Sequence, residues 1–112
     1  MWQVTLWNMN WVDYDDKMRK YPWGSPEFIE EAVLWNYWES TGVLVEEGLI
    51  DTKMLSKLIA GDLIQFWEKF SPFLFEMRRR RGFPQMYDKT EYLYYEMKRL
   101  APLWKYQPDK PF

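Results

Sequence analysis

The chain has 112 residues, a formal net charge of −2, eight Trp, eight Tyr and seven Phe, and neither Cys nor His. That size fits one domain with its own core, and the charge gives no global pull toward nucleic acid or acidic lipid. Disulfides are excluded, as is the chemistry that needs imidazole or thiolate, while aromatic side chains suited to cores and interfaces abound.

Residues 1–24 read as an irregular arm rich in aromatics: Trp2, Trp7, Trp11, Tyr14, Tyr21 and Trp23. Trp2, Val4 and Leu6 alternate with polar residues in a weak strand-like pattern. The arm is expected to fold its tryptophans onto the helices. Its start lacks the basic segment and apolar run of a secretory signal. Asp13, Asp15 and Asp16 are spaced for a hard cation, but Met18 and Gly24 stand where a calcium loop needs Gly and Glu. A solvated loop is the expected reading.

Residues 25–101 read as a helical domain. Ser25-Pro26-Glu27 is a helix start, since Ser accepts bonds from free amides and Pro suits the first helical position. Apolar spacing then predicts a helix over 26–47, with Gly42 giving close approach to a neighbour and Gly48 ending it. Glu27, Glu30 and Glu31 fall where the helix dipole favours acids. Asp51 caps a predicted short helix over 51–60. Gly61-Asp62 reads as a break, followed by a helix over 62–81 kinked at Pro72. Glu39 and Glu68, each after a Trp, read as half-buried partners for arginine. Asp88 and Glu91 have capping-box spacing before a last helix over 89–101. Residues 102–112, with three prolines, read as an extended tail.

The fold expected is therefore all-α: a compact bundle of about four helices. Tyr37-Trp38-Glu39-Ser40-Thr41-Gly42-Val43-Leu44-Val45-Glu46-Glu47-Gly48-Leu49-Ile50-Asp51 and Ile64-Gln65-Phe66-Trp67-Glu68-Lys69-Phe70 resemble a family of small uncharacterised prokaryotic all-helical domains over about residues 28–100. The resemblance implies an all-α fold and a helix continuous through Gly42. It implies no activity and transfers no functional residue.

Charge is uneven. Residues 25–61 hold seven acids and two bases, net −5; residues 62–112 hold seven acids and ten bases, net +3. Four consecutive arginines, Arg78, Arg79, Arg80 and Arg81, suggest an anion grip, with Phe75, Phe83 and Tyr87 near enough to stack on bases. Equally, cations at a helix C-terminus offset its dipole, and four consecutive helical residues point four ways. No Gly-rich phosphate loop is present. Lys53 or Lys57 near Ser56 is the sole nucleophile–base pairing, without a supporting motif.

No catalytic residue, metal ligand or cofactor is expected, and the chain is not expected to be an enzyme. The leading expectation is a cytoplasmic, non-catalytic protein–protein interaction module, an accessory subunit or adaptor. It would dock on a larger assembly, or on its own copies, through Trp2, Trp7, Trp11, Trp23, Tyr94, Trp104 and Tyr106. The alternatives are a nucleic-acid or phosphate binder using the arginine run, and a peripheral membrane protein. The latter would set Trp2, Trp7 and Trp11 in lipid beside Lys17, Arg19 and Lys20.

Overall fold

The computed structural model describes the backbone of residues 4–104 and the side chains of residues 5–100. Five helices follow one another: α1 Val4–Asn8, α2 Tyr14–Lys20, α3 Pro26–Glu46, α4 Thr52–Arg81 and α5 Asp88–Trp104. The described residues contain no strand.

The caps explain where α3 stands. Ser25 Oγ accepts from the Phe28 amide at 3.2 Å, with Pro26 in the first turn. At the other end Gly48 adopts φ 74°, and the Leu49 amide bonds the Leu44 carbonyl at 2.9 Å. Left-handed backbone at this position suits glycine. Gly42 meets the expected neighbour: a Cβ there would lie 2.2 Å from the Lys89 carbonyl oxygen of α5. The smallest side chain sets the closeness of α3 and α5.

The expected break at Gly61-Asp62 is absent. One 30-residue helix runs from Thr52 to Arg81 and passes through Pro72 without ending. A helical glycine costs about 1 kcal/mol relative to alanine. Burial of Ala60, Leu63, Ile64, Phe66, Trp67 and Phe70 along one continuous face outweighs that cost. Asp51 caps the long helix as anticipated, accepting from Lys53 and Met54 amides. Gly82, at φ 62°, closes it.

The N-terminal arm is less irregular than expected, with two short helices and irregular stretches at 9–13 and 21–24. Asp13 accepts from the Asp16 amide and starts α2, so the expected acidic loop is a helix start. Asp16 accepts from the Val12 amide and pairs with Arg19 and Lys20. Residues 4–8 form helix rather than strand, and Leu6 and Met9 are buried. α5 likewise runs past the expected start of the tail, through Pro102 to Trp104. The remainder of the tail lies outside the described residues.

α5 packs against both α3 and α4, α1 against α3, and α2 against α4. α3 and α4 touch through large rings: Trp35 meets Phe66 with centroids 4.9 Å apart and Trp67 at 6.1 Å. Beside these contacts, α3 and the C-terminal end of α4 flank a cleft.

Candidate functional site

The four arginines do not form one patch. Arg78 is half-buried; its Nε donates to the Met86 carbonyl and Nη1 to Glu91, both at 2.8 Å, which fastens the 82–87 turn to α4 and α5. Arg79 chelates Glu76. Arg80 bridges Glu76 and Asp15, joining α4 to α2. Between two guanidinium groups, the Glu76 carboxyl is held down at about 2. Arg81 instead lies over the Trp23 ring, 4.9 Å from its centroid. Three of the four charges are thus neutralised within the chain.

The aromatic candidates also separate. Tyr94 is 9 % exposed; it stacks on Trp67 and donates its hydroxyl to Glu68 at 3.0 Å, so it is core. Burial and the Glu68 carboxylate push its hydroxyl up to about 12. Trp11 is half-buried against Phe70. Trp7 and Trp23 are 56 % and 61 % exposed. Trp2 and Tyr106, like the Trp104 side chain, lie outside the described residues.

Three expectations about carboxylates are corrected. Glu31 does not simply serve the helix dipole. It is buried; Oε1 accepts from Lys17 Nζ at 2.6 Å and Oε2 from the Trp35 indole at 2.9 Å. Lys17, fully buried, also lies 3.6 Å above the Phe73 ring centroid. Burial lowers its pKa, and Glu31 opposes that shift. Lys17 is therefore unavailable to a lipid surface. Among the described residues Glu39 and Glu68 form no pair with arginine; Glu68 lies near Lys98 and accepts from Tyr94. Glu39 accepts from the Lys89 amide at 3.3 Å and from the Thr90 amide and hydroxyl at 2.9 and 3.0 Å. It caps α5 from α3, where a negative charge suits the exposed amides of a helix start. Asp88 is the first residue of α5 rather than its cap, and Glu91 serves Arg78.

Phe28, Glu31, Trp35 and Glu39 recur at helical spacing, so these residues share the face of α3 that looks into the cleft. The cleft has a volume of about 570 Å³. Phe73, Leu74, Met77 and Arg81 supply its α4 wall; Phe83, Met86, Tyr87 and Asp88 close the end. Trp35 stacks on Tyr87, with centroids 4.9 Å apart and 21° between planes. Trp23 meets Phe28 at 4.4 Å. Tyr87 holds φ 55°, a backbone region uncommon for a side chain of this size. Burial first, then Glu39 and Glu31, raise the pKa of its hydroxyl. Sequence reasoning missed this cleft. The available signal was the 28-31-35-39 register, which sets two acids among rings on one helical face.

The family model described as Domain of unknown function (DUF4760) matches residues 25–97 and bears out the family resemblance read from the sequence. No curated protein and no solved structure matches significantly. The matched span begins at the cap of α3 and leaves α1 and α2 outside it.

Proposed function

Since the chain belongs to the DUF4760 family of domains of unknown function, we propose from its own geometry that it is a non-catalytic protein–protein interaction module. One observation carries this reading. Ile29, Val33, Tyr37 and Leu44 project from α3 at helical spacing and are exposed, Val33 by 62 %. Their spacing places them on a different face from the residues that line the cleft. A helix apolar on nearly every face is ordinarily enclosed. Large apolar side chains exposed together on one helix face are characteristic of interaction sites.

The partner that fits is a protein offering an apolar face to α3, with the exposed Trp7 as an additional anchor. A second copy of the chain meets the same description. The arginine run lends little to a phosphate-binding role, because Arg78, Arg79 and Arg80 already have acidic partners. No described helix is long and apolar enough to cross a membrane.

A photo-crosslinking residue at Val33 tests the reading. The expected result is one dominant protein adduct in the native cell, absent when the crosslinker is moved to exposed Lys98 on α5. No adduct from Val33, or equal adducts from both positions, contradicts it.

A further inference from the structure

We propose that the cleft between α3 and the C-terminal end of α4 binds an organic cation: an ammonium or guanidinium group on an apolar body. This goes beyond α3 docking, which uses another face of that helix. The cleft volume of about 570 Å³ lies within the usual range of small-ligand pockets, about 300–1,000 Å³.

Six of its fifteen lining residues carry rings: Trp23, Phe28, Trp35, Phe73, Phe83 and Tyr87. Ring faces carry negative quadrupole and attract cations. The molecule already uses the cleft this way, for Arg81 sits over Trp23. Around the cleft, Glu31, Glu39 and Asp88 stand against one base, Arg81. Glu31 is matched by Lys17, and Glu39 by the amides of α5. Asp88 lines the cleft and makes no ion pair among the described residues. The left-handed backbone of Tyr87 fits a wall whose ring position is fixed at some cost.

Such a cation has two sources, a free small amine or a basic side chain of a peptide, and the assay separates them. Choline, its neutral carbon isostere 3,3-dimethylbutanol, benzoate, and a capped Gly-Lys-Gly peptide are titrated while the Trp35 indole NMR signal is followed. The expected result is that the cations bind more tightly than both the isostere and benzoate. Tighter binding of choline assigns the site to a free amine; tighter binding of the peptide assigns it to a partner's side chain. Asp88→Asn should weaken cation binding about two- to fivefold, the scale of a partly exposed charge interaction. Arg81→Gln should strengthen it by a similar factor. Equal binding of the isostere, preference for benzoate, weakening by Arg81→Gln, or no binding of either cation overturns the proposal. Val33→Asp should leave choline binding unchanged, so failure of this site and failure of α3 docking are distinguishable.

Discussion

Lys17 and Glu31 form a buried ion pair, with Nζ 2.6 Å from Oε1. It joins α2 to α3 across the interior, and the second Glu31 oxygen holds the Trp35 indole at the cleft wall. The residues before the matched family segment therefore help to build the core of the domain.

Breaking that pair by one substitution leaves a charge stranded. Lys17→Met should destabilise the fold by about 3–5 kcal/mol. The double variant Lys17→Met/Glu31→Gln should recover part of that loss. Urea unfolding of the four-membered mutant cycle checks it. Additive losses would show that the two groups do not act as a pair.

Gly42 limits how closely α3 and α5 approach. Gly42→Ala puts a methyl group against the Lys89 carbonyl, so the overpacking should cost about 1–3 kcal/mol. The gain in helix propensity, about 1 kcal/mol, offsets only part of this. Thermal unfolding reads the net effect, and a stabilised variant would contradict the contact.

Glu39 caps α5 from another helix. Glu39→Ala should cost about 1–2 kcal/mol, as for other lost N-caps. Amide exchange at Lys89 and Thr90 should quicken more than exchange at Leu93. Glu39→Gln keeps acceptor oxygen but loses the charge, so its loss should be smaller.

Much of the fold could be read from local chemistry. Ser25-Pro26, Gly48, Asp51 and Gly82 mark helix ends through their own backbone preferences, and the structure uses all four there. The mistakes arose where long-range packing overrode a local signal. Gly61 suggested a break, yet the buried face continuing through Leu63 and Trp67 keeps the helix whole. Asp88 looked like a cap, yet Glu39, about fifty residues earlier, supplies the carboxylate. Pairings such as Lys17 with Glu31 and Asp15 with Arg80 have no local signature, because they depend on how α2 docks. The cleft belongs to the same class: its rings come from α3, α4, the turn that Arg78 fastens and Trp23 before α3.

Tyr94 gives the fold an alkaline limit. Its hydroxyl is pushed up from 10.0 to about 12 in the folded chain. The unfolded chain therefore loses this proton first, and the stability linked to Tyr94 is complete below pH 10.0 and lost as pH rises toward 12. Tyr94→Phe should flatten that part of the stability–pH curve. An unchanged slope would mean that Tyr94 ionises as in the unfolded chain.

The docking role of α3 is most directly tested by the native size of the protein recovered from its own cells. The wild type should elute well above the 13.9 kDa of one chain. Val33→Asp, an exposed substitution that leaves the core intact, should elute as a monomer with nearly unchanged thermal stability. A monomeric wild type, or a Val33→Asp variant that keeps the larger size, would contradict the role assigned to this face.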